Sequence, residues 1–191
     1  MGRYWLGAVW APTNYMITCG LRRYGYHEIA RDIAIRHLQA MCQVWENPAY
    51  GSIWECYAPD VMAPAINDEG ETVRSDFVGW SGLGPVSMLI ESILVFHMDA
   101  ATNTIHWRIA HHAAHGIRRL AFNGRIVDLI ASEPDGAGKR KITINLSDSL
   151  NLMISLAGRS ADTGRQLTLP AGCSDPLMEG YHIMDRQSQR V

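Results

Sequence analysis

Two segments concentrate the side chains that could do chemistry: Gly51-Ser-Ile-Trp-Glu-Cys-Tyr-Ala-Pro-Asp60 and Ser75-Asp-Phe-Val-Gly-Trp-Ser-Gly-Leu-Gly84. The first sets one carboxylate, Glu55, between Trp54 and Tyr57, and the second adds Phe77 and Trp80. That combination suits a sugar. Aromatic faces stack on the C–H surface of a pyranose while a carboxylate accepts or delivers a proton. Taken alone, an aromatic-rich loop beside a Glu is more often packing next to a surface charge.

Other chemistries have less support. His111, His112 and His115 cluster, and His111 and His115 are four apart, as in a helical metal pair. They fall in a strand-rich half beside Gly116, however, and no carboxylate follows at ligand spacing, so they read as surface histidines and no metal site is expected. His27-Glu28 lacks the second His of a zinc-protease motif. Gly79, Gly82 and Gly84 flank Trp80 as loop glycines, with no phosphate-cradling motif, and no cofactor is expected.

Bulk properties exclude further classes. A net charge of −2 over 191 residues gives no electrostatic footprint for nucleic acid or an anionic membrane. Lys139-Arg140-Lys141 reads as a solvated loop. Cys19, Cys42, Cys56 and Cys173 show no CxxC pairing, which fits reduced thiols and a cytoplasmic setting. The N-terminus does not read as a signal peptide, and the apolar run Val86–Phe96, interrupted by Glu91, is too short to span a bilayer.

Elements must hold these residues in place, and the periodicity changes along the chain. Pro12 suits a helix's first turn, and Gly25 suits its stop after Tyr24. From His27 to Trp45, Ile29, Ala30, Ile33, Ala34, Leu38, Met41, Cys42 and Trp45 recur at three- and four-residue steps, opposite Arg31, Asp32, Arg36 and Gln39. Residues 47–83 hold no period, and a third helix from Gly84 to Phe96 is apolar nearly all round and so expected to be buried. After Asn103 the runs 104–109, 117–122, 126–130, 142–146, 152–156 and 166–169 alternate or read as short strands, with Asn123-Gly124 a hairpin turn. The expected class is α+β: helices over 1–98, a small antiparallel β-domain over 99–175, and a poorly ordered tail over 176–191.

The segments YWLGAVWAPTNY (4–15), LRRYGYHEIA (21–30), GSIWECYAPD (51–60) and DFVGWSGLGPVSMLIE (76–91) resemble the last part of the catalytic domain of glycoside hydrolase family 63. That family is related to the trehalases, and mannosylglycerate-hydrolase-like proteins are similar to it. NTIHWRIAHHAAHGIRRLAFNG resembles the small β-extension that follows the barrel in some members. The resemblance implies part of an (α/α)6 toroid and an inverting α-glycoside hydrolase. Glu55 falls at the general base, which deprotonates the water that attacks the anomeric carbon. Trp5, Trp10, Trp54, Tyr57 and Trp80 fall where they would line the sugar pocket.

The sequence departs from the family pattern in three ways. Leu6 stands where relatives carry Arg, removing a charge-assisted hydrogen-bond donor, and Cys56 stands where they carry Asn. The general acid, an Asp far upstream in the family, has no counterpart here; Asp60 and Asp76 do not occupy its position. Inverting hydrolysis needs both carboxyl groups, roughly 6.5–9.5 Å apart. Three or four helices also cannot close a toroid of twelve. The chain is therefore expected to be a fragment, inactive alone, that acts on carbohydrate with the missing N-terminal part of the toroid as partner, or that self-associates. The alternative is a non-catalytic carbohydrate-binding or split-enzyme assembly module.

Overall fold

The computed structural model describes residues 4–156, 165–169 and 181–184. The protein is α+β, and it divides into two compact units, Met1–Ile93 and Leu94–Val191. No helix among the described residues is long and apolar enough to cross a membrane.

The first unit is helical. Helix α1 (Ala11–Arg23) has Pro in its first turn and Arg22 and Arg23 in its last, where cations complement the helix dipole. Just beyond it Gly25 turns at φ +84, and its N–H donates to the Arg22 carbonyl at 3.0 Å. Helix α2 (His27–Glu46) buries Ala30, Ala34, His37, Met41 and Val44, a stripe stepping by three and four. This is narrower than the periodicity implied. Ile29, Cys42 and Trp45 lie on its flank and are exposed, while Ala34 packs with Ala11 and Met88.

The third helix also differs from expectation. A 3₁₀ turn (Trp80–Leu83) leads into a π-helix (Gly84–Ile93) that ends before Phe96. Only Gly84, Met88 and Ser92, four apart, are buried, while Val86 and Leu89 are exposed. Gly84 is where this helix meets α2. A Cβ there would lie 2.8 Å from Met41 Sδ and 3.1 Å from His37 Cδ2. Phe96 instead stacks on Trp107 (4.9 Å) within the second unit.

One charge is held inside the helical packing. Glu91 accepts from the Tyr15 hydroxyl (2.9 Å) and pairs with Arg22 (2.5 Å), whose other terminal nitrogen donates to Ser92 Oγ (3.0 Å). Burial first, then the bonds to Cys19 and Glu91, push the Tyr15 phenol above its ordinary range, so it remains a donor. Glu91→Gln keeps an acceptor but loses the charge. It should cost about 1–2 kcal/mol in urea unfolding, and a change below about 0.3 kcal/mol would show the pair to be dispensable.

The second unit holds two four-stranded sheets, made from β1 (Phe96–Asp99), β2 (Thr104–Ile109), β3 (His115–Phe122), β4 (Arg125–Ala131), β5 (Lys139–Leu146), β6 (Leu150–Leu156), β7 (Arg165–Leu169) and β8 (Tyr181–Met184). The strand orders are β1-β2-β6-β7 and β3-β4-β5-β8. Most pairs are antiparallel, as expected, but β2 runs parallel to β6. Asn123 and Gly124 both take positive φ between the paired Phe122 and Arg125, the geometry a tight hairpin requires. Alternate residues face inward, among them Ile105, Trp107, Val127, Leu129, Ile142, Ile144, Leu152 and Ile154. A bulge falls between Ile117 and Leu120, where Arg119 (φ +55) donates its N–H to Asp128 at 2.7 Å. The expected tail contains β8, and its other residues lie outside those described. Cys19, Cys42 and Cys56 form no disulfide.

Candidate functional site

Glu55 lies on an irregular segment that short bridges make rigid. Val9 and Tyr57 exchange backbone hydrogen bonds (2.8 and 3.0 Å), and further bridges join Tyr57 to Pro64 and Ile66 to Thr72. The Glu55 N–H donates to the Arg74 carbonyl (2.9 Å), and its own carbonyl accepts from Ser81 Oγ (3.1 Å) and Trp80 Nε1 (3.3 Å). The backbone is thus tied on both sides, and the half-buried carboxylate projects from a fixed point. Its Oε1 accepts from the Tyr4 hydroxyl at 3.1 Å.

Aromatic rings gather on the same side. Trp5 and Trp10 stack at 4.2 Å with an interplanar angle of 6°, Tyr4 meets both edge-on, and Trp80 sits 5.7 Å from Trp10 and 5.1 Å from Phe77. Trp5 is 66% exposed and Trp80 also reaches solvent, while Trp10, at 7%, is the buried backing of the stack. Arg74 lies over the Phe77 ring at 5.7 Å. An exposed indole face on a fixed stack beside a carboxylate can grip a sugar ring and manage a proton.

The two remaining expected residues are placed differently, Trp54 also reaching the Trp10 cluster. Trp54 packs against Tyr50, and Tyr57 is buried with Met41 and Val44, its hydroxyl accepting from the Trp54 N–H. Tyr57 also lines a cavity of about 340 Å³ with Asn14, Ile33, His37, Asp60 and Met62, and Glu55 does not contribute to its walls. The structure therefore joins Trp5, Trp10 and Trp80 to Glu55, sets Trp54 between the Trp10 cluster and the helical one, and assigns Tyr57 to the helical side of the loop. Asp60 belongs with that cavity, while Asp76 (φ +52) is bound by Ser52 Oγ (2.7 Å). Neither is hydrogen-bonded to Glu55.

The two residues that depart from the family pattern differ in their surroundings. Leu6 is 80% exposed beside Trp5, and Cys56 is fully buried with Trp10, Ala65 and Val73. Burial, then the neighbouring Glu55 charge, pushes the Cys56 thiol up to about 12, so it stays neutral. Tyr4 is a site residue that sequence reasoning misses, although it opens the Tyr-Trp pair that begins the first matching segment. His111 and His115 come within 5.0 Å, ring to ring, yet no group of three potential metal ligands occurs among the described residues.

Comparison with known proteins agrees with the first unit. Residues 5–92 match the family model described as Trehalase. An uncharacterized protein of Borreliella burgdorferi is 26% identical over 184 residues, covering 93% of this chain and 37% of its own length. Mannosylglycerate hydrolases MGH1 and MGH2 of Selaginella moellendorffii are each 39% identical over 57 residues, 30% of this chain and 10% of theirs. The chain thus spans little more than a third of the longest-matching of these relatives, and no solved structure matches it. Residues 5–92 form a trehalase-related, glycoside-hydrolase-like region.

Proposed function

We propose that this region is the general-base half of an inverting α-glycosidase site of the family 63 type. The observation that carries the reading is the Glu55 carboxylate, tied at its backbone and set beside the exposed Trp5–Trp10 stack. Water on this carboxylate would lose a proton to it while attacking the anomeric carbon, with Trp5, Trp10 and Trp80 holding the sugar ring. The acid that protonates the leaving oxygen would come from an Asp outside this chain, roughly 6.5–9.5 Å away. No cofactor takes part.

The same reading supplies a partner. Met16 and Ile17 on α1, and Ile29 and Trp45 on α2, expose apolar surface of the kind that packs against further helices. The longer relatives have chain to spare for such helices. The test is to express the uncovered part of the Borreliella relative as a separate chain and mix it with this one. Mannosylglycerate, α-mannosides and α-glucosides would then be assayed by proton NMR for product of inverted configuration. Turnover by the mixture and none by either chain is expected. A monodisperse, cooperatively melting monomer that neither binds the second chain nor gains activity from it would sink the proposal.

Leu6 and Cys56 favour a second reading, a non-catalytic carbohydrate-binding module, because an exposed apolar side chain follows Trp5 and a buried neutral thiol adjoins Glu55. Sugar binding that survives Glu55→Gln, with no turnover under any condition, would decide for it.

A further inference from the structure

We infer that Tyr4 is the positioning residue for Glu55: its hydroxyl holds Oε1 and leaves Oε2 as the oxygen presented to water. The inference rests on the reading of Glu55 as a base and adds how that base is aimed.

The local backbone is the first observation. Tyr4 adopts φ +36, a left-handed conformation that an aromatic residue rarely takes. It is held there from several directions. Its N–H donates to the Ile66 carbonyl (3.0 Å), and its own carbonyl accepts from the Ala8 N–H (3.2 Å) and from Trp10 Nε1 (3.2 Å). The ring is clamped by edge contacts with Trp5 (5.2 Å) and Trp10 (5.1 Å). An unfavourable conformation maintained by this many contacts points to a functional demand on where the side chain goes.

The second observation is where it ends. Across 51 residues of sequence, the hydroxyl reaches Glu55 Oε1 at 3.1 Å, and Oε2 takes no hydrogen bond from the described residues. A carboxylate with one oxygen fixed and one open can bind a single water in a defined direction. Burial, then the Glu55 carboxylate, raises the Tyr4 phenol above its ordinary range, so it remains a proton donor wherever Glu55 is ionised. Among the described residues, Tyr4 is accordingly the donor that orients the base.

The test uses the full chain labelled at tyrosine Cζ with carbon-13. The Tyr4 resonance is the one lost in Tyr4→Phe, and its titration midpoint should fall in Glu55→Gln. Binding of 1-deoxynojirimycin, a cationic sugar mimic, should weaken about five- to tenfold in Tyr4→Phe, the loss expected of one hydrogen bond. The urea midpoint of Tyr4→Phe should fall by no more than the loss of a single hydrogen bond allows, since the ring contacts remain. A Tyr4 midpoint identical in both backgrounds overturns the inference. So does mimic binding that Glu55→Gln abolishes and Tyr4→Phe leaves unchanged. An intact Tyr4–Glu55 titration linkage with no mimic binding by the parent chain, either alone or mixed with the second chain of the reassembly test, overturns the reading of Glu55 itself.

Discussion

Glu55→Gln should lower kcat of the reassembled enzyme by about 10²–10⁴-fold, the usual contribution of a general base, with little change in KM. Gln keeps the size of the side chain and an oxygen for Tyr4, so the Trp5–Trp10 stack and its sugar contacts should survive. What it removes is the proton acceptor, which matters only as water attacks. A loss confined to kcat is therefore the signature of a base, and a loss confined to KM that of a binding residue. Glu55→Asp gives a finer measure. It keeps the charge but withdraws the carboxylate by one methylene from the Tyr4 hydroxyl, and a misplacement of about 1 Å costs on the order of 10² in rate. The assay is turnover at saturating substrate, by mixtures carrying each variant. Less than a tenfold fall in kcat for Glu55→Gln would remove Glu55 from the mechanism.

The candidate site was legible where unusual residue types concentrate in short segments. Trp-Glu-Cys-Tyr and the loop around Trp80 mark the place without any knowledge of contacts, and Glu55 does share it with Trp5, Trp10 and Trp80. What sequence could not sort was direction. Trp54 and Tyr57 are one and two positions from Glu55, yet Tyr57 turns to the helices while Trp54 touches both clusters, because the Val9–Tyr57 bridge and the burial of Tyr57 fix which side faces inward. Tyr4 is hidden for the converse reason: its partner lies 51 residues away, and no local spacing encodes that hydrogen bond. The helices followed the same logic. Their positions were readable from period and caps, but period does not record the packing of Ala34 with Ala11 and Met88, the fit of Gly84 against Met41 and His37, or the π-helical winding that follows Gly84. In the sheets, alternation marks the buried residues, whereas the parallel pairing of β2 with β6 is a matter of topology that alternation does not record.

His37 should make the stability of the helical unit fall as pH drops from about 6.5 to about 4. It occupies the buried stripe of α2 and is 4% exposed, with the Tyr57 ring edge-on at 6.2 Å. Asn14 Nδ2 lies 3.1 Å from Nδ1. An amide nitrogen can only donate, so Nδ1 accepts and the ring's hydrogen sits on Nε2, which has no partner among the described residues. A second proton on Nδ1 would face the Asn14 donor and add a charge inside the packing. Burial accordingly lowers the His37 pKa from 6.5 to about 4. The unfolded chain takes up this proton near pH 6.5 and the folded chain only near pH 4, so in that window the unfolded state binds more protons. Stability is whole above the window and declines through it, by at most about 3 kcal/mol, since a tenfold difference in proton affinity corresponds to about 1.4 kcal/mol. Carboxylates titrate in the same range, so the comparison must be with His37→Leu, which removes the imidazole and leaves them in place. Urea unfolding followed by tryptophan fluorescence, at matched protein concentration, should show the parent losing stability more steeply than His37→Leu between about pH 6.5 and pH 4. The variant should start lower at neutral pH, because it leaves the Asn14 amide without its acceptor. Parallel pH profiles for the two chains would mean that His37 is protonated in the fold as readily as outside it, and that the α1–α2 packing admits the charge.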